Sequence, residues 1–210
     1  ILSGKHLSED ITGVYVSGSV SSYNDGYAGG LIGEINDYAV LDQAHSNAEV
    51  NGDSYYAGGM IGYAQYSFYG KNLATGLVDA STSDKQGGFV GSDLRPDDYG
   101  SAYFDTESTG QDSGAGGGTE SGLISRTTSE LTGYNAKQNT NFNFSSNWCV
   151  REGDYPGLVK AGQCNTPPSV PSLDSPSGGA TGLDDELSLE ASVSDPDGDD
   201  FAGIKILDIE

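Results

Sequence analysis

A six-residue glycine motif returns with a fixed period of 29 along the chain, and this period constrains the fold more than any other feature. The three copies read AGGLIG at 28–33, AGGMIG at 57–62 and QGGFVG at 86–91. One further step back aligns Leu2 with Leu31, so we expect the sequence to start within a fourth copy. Periods of roughly 20–50 residues are typical of solenoids and related repeat arrays.

The residues between the motifs predict strands rather than helices. Short runs of β-branched and aromatic residues are separated by Gly, Asn and Asp, and the 32 glycines disfavour a helical hairpin. We therefore predict an all-β fold, a short parallel β-solenoid (β-helix) whose coils stack at the ~4.8 Å strand spacing. Equivalent apolar residues would form two inward columns, Leu31 over Met60 over Phe89 and Ile32 over Ile61 over Val90.

The motif glycines have two predicted roles in this stack. They would supply corner conformations with positive φ, which other residues adopt only at a cost. They would also let successive backbones approach each other without a Cβ between them. Because one coil cannot bury its apolar face alone, neighbouring copies should stabilise one another.

The motif and its surroundings resemble the GLUG repeat of bacterial filamentous-haemagglutinin-like adhesins and of the non-catalytic regions of some IgA peptidases. The Gly-Gly-Leu-Ile-Gly pattern is preceded by segments such as ATGLV at 74–78. The likeness continues through AYFDTESTGQ at 102–111, where Phe104 replaces the Trp usual in the family, and WCVREGDYPGL at 148–158. It covers roughly residues 1–160. The resemblance implies a β-helical fold and an extracellular setting, and it carries over no catalytic residues.

Composition divides the chain into four parts. Residues 1–91 carry the repeats, 92–164 lose the period and would cap the solenoid, and 165–182 form a Pro- and Gly-rich linker. Residues 183–210 resemble the start of an immunoglobulin-like or cadherin-like domain. Only two or three strands are expected there, whereas a sandwich needs about seven. More of the same protein or another chain would therefore complete this sheet.

Within the cap we predict a loop at 114–118 and one short helix near 127–137. Ser125 or Thr127 would provide the N-cap of the helix, with Glu130 in its first turn. The aromatic-rich residues that follow, at 142–158, are expected to cover the open end of the solenoid, because unpaired strand edges invite association. A ligand pocket lined by Trp148 and Tyr155 is the alternative role for this segment.

The two cysteines, Cys149 and Cys164, flank a Tyr-Pro-Gly turn and belong to no thiol or zinc motif. We predict a disulfide closing a surface loop, which would stabilise the fold by ~3 kcal/mol and fits an oxidising compartment. Two unrelated free thiols are the alternative.

The charge of the chain excludes several classes of partner. A formal net charge of −22 repels nucleic acid and anionic membranes, and no window approaches the ~20 apolar residues of a membrane span. We do not expect an enzyme: His6 and His45 lack nucleophile or metal-ligand spacing, and no HExxH, GxSxG or P-loop pattern occurs. A polysaccharide-degrading β-helix would need clustered Asp with Arg or Lys.

Two sets of side chains are candidate binding sites. Asp195, Asp197, Asp199 and Asp200 surround a Pro-Gly turn and could hold Ca²⁺ with carboxylate oxygens, although an acidic turn without metal has the same pattern. Asp25, Asp53 and Asp84 precede the glycine motifs and are interpreted as turn formers, with a row of metal ligands along one edge of the stack as the alternative.

Tyrosines form the second set. Tyr27 and Tyr56 occupy equivalent repeat positions, with Lys85 at the third. With Tyr55, Tyr63 and Tyr66 they could offer an aromatic platform for sugar rings, or form a ladder that only stabilises the coil.

The sequence thus predicts a non-catalytic structural and adhesive module of a large bacterial-type surface protein that binds a surface glycan or protein ligand. The alternative is a self-assembling filament or sheath subunit, in which solenoid ends stack and a neighbouring chain completes the C-terminal sheet by pairing with a strand such as 204–209. A polysaccharide-degrading enzyme is the third, least favoured class.

Overall fold

The computed structural model describes residues 3–7, 10–22, 26–36, 39–52, 55–65, 68–80, 85–94, 100–164, 172–175 and 190–192. The chain divides into two compact units, Ile1–Cys164 and Asn165–Glu210. The strands are β1 (Ser3–Leu7), β2 (Ile11–Ser22), β3 (Tyr27–Gly29), β4 (Ile32–Asn36), β5 (Val40–Gly52), β6 (Tyr56–Gly58), β7 (Ile61–Ala64), β8 (Phe68–Tyr69), β9 (Asn72–Ala74), β10 (Val78–Ala80), β11 (Gln86–Gly87), β12 (Val90–Asp93), β13 (Ala102–Asp105), β14 (Leu123–Arg126), β15 (Trp148–Cys149), β16 (Gly157–Leu158), β17 (Ser172–Ser175) and β18 (Glu190–Ser192). The helices are α1 (Thr106–Thr109), α2 (Thr128–Leu131) and α3 (Gly133–Asn139).

The strands of the glycine motif form two parallel sheets with a constant register. The first sheet has the order β1-β4-β7-β12, and the second the order β3-β6-β11. In the first sheet Ile32 pairs with Ile61, and Ile61 with Val90, so each step along the sheet is one full repeat of the sequence. The all-β class and the parallel pairing of equivalent repeats are confirmed.

A third sheet joins the stretches between the motifs. It contains β2, β5, β8, β9, β10, β13 and β14, all paired in parallel. Here Val20 pairs with Val50, one position more than a repeat, and Val50 pairs with Val78, one position fewer. The two steps compensate each other, so the third sheet keeps the same mean period as the motif.

The core confirms the two predicted columns. Leu31, Met60 and Phe89 have no exposed surface and belong to one cluster. Their backbones are joined by hydrogen bonds, with Leu31 N donating to Met60 O at 3.0 Å and Met60 N to Phe89 O at 2.9 Å. Ile32, Ile61 and Val90 are buried in the same cluster. Like side chains therefore lie beside one another along the stack.

The motif glycines fill only one of their two predicted roles. The glycines with positive φ lie elsewhere, for example Gly13 and Gly100, so the expectation of positive-φ corners in the motif is wrong. Close approach explains them instead: a Cβ added to Gly29 would lie 2.0 Å from the carbonyl oxygen of Ile32, and one added to Gly59 would lie 2.3 Å from that of Gly88. No larger residue fits without moving a backbone.

Parallel stacking continues beyond residue 91. The segment 114–118, expected to be a loop, forms isolated parallel bridges of Val90 with Ala115 and of Asp93 with Gly118. Phe89 N donates to Gly114 O at 3.0 Å. A short glycine-rich stretch thus adds a further layer to the stack without repeating the motif.

Two short helices replace the single helix predicted near 127–137. Thr127 is the N-cap of α2, and its capping box with Glu130 is complete, as expected. Thr132 is extended (φ −110°, ψ 150°) and ends α2 before α3 begins at Gly133. Ser125, the alternative cap, lies in β14.

The aromatic segment packs against one face of the third sheet, and its predicted role as a lid over the end of the stack stays a prediction. Its residues join Leu73 and Tyr103 of the sheet in one cluster. Trp148 stacks on Phe142 with ring centroids 4.1 Å apart and is 1% exposed. Because Trp148 is buried, it does not line an open pocket with Tyr155.

The segment is closed by a disulfide. Cys149 and Cys164 are bonded, with Cα atoms 5.7 Å apart, as predicted. The bond lies beside the antiparallel pair β15–β16, in which Trp148 faces Leu158. In the described part of the chain, no helix has the length and apolar character needed to cross a membrane.

The second unit contains the antiparallel pair β17–β18. Strand β18 falls within residues 183–210, where two or three strands were predicted, whereas β17 falls in the predicted linker 165–182, so that linker contains a strand. The aspartates at 195–200 lie outside the described residues.

A tyrosine surface as the candidate functional site

Parallel pairing brings the predicted tyrosines together. Tyr27 at the start of β3 pairs in register with Tyr56 at the start of β6. Lys85 precedes β11, whose Gln86 pairs with Ala57, so Lys85 occupies the equivalent place in the next layer. Tyr55 is held beside them by a hydrogen bond from its backbone N to Gly26 O at 2.9 Å.

Tyr63 reaches the same surface from the first sheet, where it lies in β7. Its ring is stacked on Tyr27 at 4.9 Å between centroids and on Tyr56 at 5.9 Å. Tyr27 and Tyr56 are 5.6 Å apart and tilted by 31°. These four tyrosines, with Lys85, are called the tyrosine surface below.

A cation lies at one end of the tyrosine surface. Lys85 Nζ is 3.3 Å from the centroid of the Tyr55 ring and 5.9 Å from that of Tyr56, which is within the range of cation–π attraction. Tyr55 and Tyr56 meet edge to face at 4.6 Å. The lysine therefore fixes the outermost ring and keeps a positive charge on an otherwise strongly acidic chain.

The four tyrosine rings pack against one another across the strands, and part of their surface remains accessible to solvent. Tyr27 is 38% exposed and Tyr55 is 39% exposed, while Tyr56 and Tyr63 are half-buried. Cross-strand aromatic pairs of this kind each contribute roughly 0.2–1 kcal/mol to stability. The tyrosines therefore stabilise the stacked repeats, as the ladder interpretation predicts. The exposed ring surface remains available to an apolar face of a ligand.

The arrangement suits a neutral, partly apolar ligand. The C–H groups of a sugar ring are slightly positive and pack on the negative face of an aromatic ring. Lys85, and Glu34, which pairs with Tyr63 in the sheet register, provide polar groups beside the rings. A polyanionic ligand is disfavoured by the net charge of −22.

Other predicted site residues lie outside the described residues. These are Tyr66, the turn aspartates and the proposed calcium ligands, namely Asp25, Asp53, Asp84, Asp195, Asp197, Asp199 and Asp200. Among the residues that are described, no three or more His, Cys, Asp or Glu side chains are grouped as metal ligands would be. Calcium binding stays a prediction.

A buried polar cluster was not predicted from the sequence. Tyr15, His45, Leu73 and Tyr103 pair in turn across the third sheet and form one column. His45 Nε2 lies 3.0 Å from Thr75 Oγ1. Burial lowers the pKa of His45 to about 3, against the opposing effect of the Asp154 carboxylate, so this imidazole is neutral at pH 7.

Tyr155 links the aromatic segment to the sheet within the same cluster. Its hydroxyl donates to Asp105 Oδ2 at 2.5 Å, while Asp105 Oδ1 accepts from the backbone N of Glu107 and Ser108 at the start of α1. Burial, followed by the bond to Asp105, raises the pKa of Tyr155 to about 12. Asp105 and His45 are buried, so this cluster stabilises the fold and is closed to a substrate.

The accessible chemistry of the predicted residues is therefore concentrated on the tyrosine surface, which combines ring faces with one ammonium group. The register of the strands creates it, since Tyr27, Tyr56 and Lys85 share one position of the repeat. The chain has no match among protein-family models, curated proteins or solved structures.

Proposed function

We propose that the repeats form a parallel β-solenoid that acts as an extracellular structural and adhesive module, and that the tyrosine surface binds a neutral glycan. The observation that carries the proposal is the strand register of one full repeat per step, which stacks the tyrosines of successive repeats into one accessible surface. Each repeat contributes strands to all three sheets, as one coil of a solenoid does.

The setting outside the cell rests on two observations. The disulfide Cys149–Cys164 is typical of oxidising compartments. The resemblance of the motif to GLUG repeats points the same way. A strongly acidic chain also stays soluble and resists non-specific association where salt screens its charge.

The experiment is a glycan array probed with the full chain, followed by titration of the best neutral oligosaccharide. The double variant Tyr27→Ala/Tyr55→Ala should lose binding, because it removes the two most exposed rings. Tyr27→Phe/Tyr55→Phe should retain most of it, since the ring faces remain. Tyr134→Ala is the matched control: this tyrosine is 62% exposed but lies in α3, away from the repeats.

Two results would contradict the proposal. One is the absence of any glycan that binds above background. The other is binding that the Ala double variant leaves unchanged, which would reduce the tyrosine surface to a stabilising ladder. Circular dichroism of each variant establishes that the fold is intact.

The filament alternative depends on strand pairing by residues 204–209, which lie outside the described residues. We therefore propose the adhesive module first. A filament would appear in size-exclusion chromatography as concentration-dependent assembly.

A further inference from the structure

A polar pocket with a volume of about 380 Å³ opens where the third sheet meets the loop at 141–147. This volume lies at the small end of the roughly 300–1,000 Å³ that is usual for ligand pockets. Its polar lining comes from four separate parts of the chain: Asp42, Gln43, Lys71, Ser101, Asn141, Asn143 and Asn147. None of these residues belongs to the tyrosine surface.

Two glycines border this pocket at points where the chain packs closely against itself. A Cβ on Gly70 would lie 2.0 Å from Asp42 Oδ1, and a Cβ on Gly100 would lie 1.9 Å from the carbonyl oxygen of Tyr69. Gly100 also has φ +128°, a conformation that side chains rarely adopt. Both positions border the pocket, so larger residues at Gly70 and Gly100 would disturb this part of its lining.

The wall from the sheet is held in place by hydrogen bonds. Asp42 Oδ1 accepts from Lys71 N at 2.8 Å, and Asp42 Oδ2 accepts from Gln43 Nε2 at 2.9 Å. Each carboxylate oxygen thereby accepts one N–H donor, which uses about half of the acceptor sites of the group. Gln43 also lines the pocket, and its Oε1 accepts no hydrogen bond within the described residues.

The opposite wall is also organised before any ligand arrives. Asn141 Nδ2 donates to Ser101 Oγ at 3.0 Å. Asn143 Oδ1 accepts from Ser145 N at 3.0 Å, and Asn143 O accepts from Asn147 N, also at 3.0 Å. Within the described residues, the Nδ2 group of Asn143 and the side-chain amide of Asn147 have no hydrogen-bond partner.

We propose that this pocket binds one neutral sugar residue, such as the end of an oligosaccharide. Sugar hydroxyls both donate and accept, which matches amide side chains that offer both functions in a planar group. The lining holds one cation and one anion, Lys71 and Asp42, so it does not select a charged ligand. A phosphate would meet a single lysine, and a metal ion would meet a single carboxylate that already accepts two N–H donors.

The test is saturation-transfer NMR and calorimetry on the full chain with glucose, galactose, mannose and N-acetylglucosamine, each alone. Asn143→Asp is the sharpest single change, because it keeps the acceptor for Ser145 N and removes the Nδ2 donor. With Asn147→Ala in addition, the affinity should fall at least about tenfold, as expected for two lost neutral hydrogen bonds. Asn135→Ala, an exposed asparagine in α3, should leave binding unchanged.

The outcomes separate this site from the tyrosine surface. Tyr27→Ala/Tyr55→Ala should retain monosaccharide binding, so the two proposals can fail independently. Saturable binding that is lost in Asn143→Asp/Asn147→Ala supports the pocket. The proposal is overturned if none of the four sugars binds, if the double variant binds as the parent does, or if only inorganic phosphate or Ca²⁺ produces saturable binding.

Discussion

Replacement of Gly59 by Ala tests whether close backbone contact holds the repeats together. A Cβ at this position would lie 2.3 Å from the carbonyl oxygen of Gly88, whereas Cβ contacts need at least 3.0 Å. The neighbouring layers must therefore separate by about 0.7 Å to relieve the overpacking. The bond from Gly59 N to Gly87 O, already 3.3 Å long, would then stretch to about 4.0 Å, beyond hydrogen-bonding range.

The expected cost follows from these distances. A buried backbone group left without a partner costs about 1–3 kcal/mol, and overpacking adds about 1–3 kcal/mol. We expect Gly59→Ala to lower the free energy of unfolding by about 3–5 kcal/mol, the middle of the combined range of about 2–6 kcal/mol. This is a large part of the roughly 5–15 kcal/mol that is typical of a domain.

Gly117→Ala is the matched control, because a Cβ there would only touch Ser92 Oγ at 3.9 Å and Gly117 has no positive φ. This change should be neutral, or stabilising by up to about 1 kcal/mol, since alanine restricts the unfolded chain. Urea unfolding can be followed by the fluorescence of Trp148, which is the single tryptophan of the chain. Similar unfolding free energies for the two variants would refute the close-contact explanation.

Three further measurements follow from the aromatic segment. Reduction of Cys149–Cys164, or Cys149→Ser, should destabilise the first unit by ~3 kcal/mol, measured by urea unfolding with and without reductant. Because the pKa of His45 is lowered in the fold, the unfolded state binds a proton at this side chain at a higher pH than the folded state does. The free energy of unfolding should therefore decrease as the pH is lowered from about 6.5 to about 5, by up to about 1.4 kcal/mol per pH unit. His45→Gln should flatten that slope. The raised pKa of Tyr155 favours its neutral form in the fold, so its contribution should be present below about pH 10 and lost as the pH rises toward 12. Tyr155→Phe, which removes the bond to Asp105, should cost about 1–3 kcal/mol at pH 7, with the difference from the parent shrinking above pH 10.

The glycine motif made the core predictable because its spacing survives in the structure without change. Leu31, Met60 and Phe89 share one repeat position, and parallel pairing turns that position into a column. The tyrosine surface was predictable for the same reason, since Tyr27 and Tyr56 are also one period apart.

The third sheet was harder to predict because its steps are unequal: the step from Tyr15 to His45 is longer than the step from His45 to Leu73. Gln43 adopts φ +53° within β5, a left-handed conformation that is uncommon for a residue other than glycine and that nothing in the sequence predicts here. The layer at 114–118 lacks the apolar pair of the motif, so nothing in the sequence marks it as a continuation of the stack. The polar pocket could not be predicted from the sequence either, because it is lined by the bend at Gln43 and by the loop at 141–147, and neither belongs to the repeat.

The aromatic segment covers one face of the third sheet, and this explains which surfaces of the first unit expose side chains that a ligand could contact. The third sheet is packed on both faces, with Ala44 and Phe104 in the main core and Leu73 and Tyr103 under the aromatic cluster. A sheet packed on both faces has little surface left for a ligand. The first and second sheets contribute no described residue to that cluster, and the outward tyrosines Tyr27 and Tyr55 remain exposed.

The edge of the aromatic segment contacts the third sheet through different side chains from those at its centre. At the centre, aromatic rings exclude water and bury even His45. At the margin, where Asn141 and Asn143 are exposed, the segment meets the sheet through amides and not through rings. Exposed amides are hydrated, so a ligand that displaces this water must replace its hydrogen bonds. Sugar hydroxyls both donate and accept hydrogen bonds and can make that exchange, whereas the tyrosine surface offers ring faces to the apolar face of a sugar.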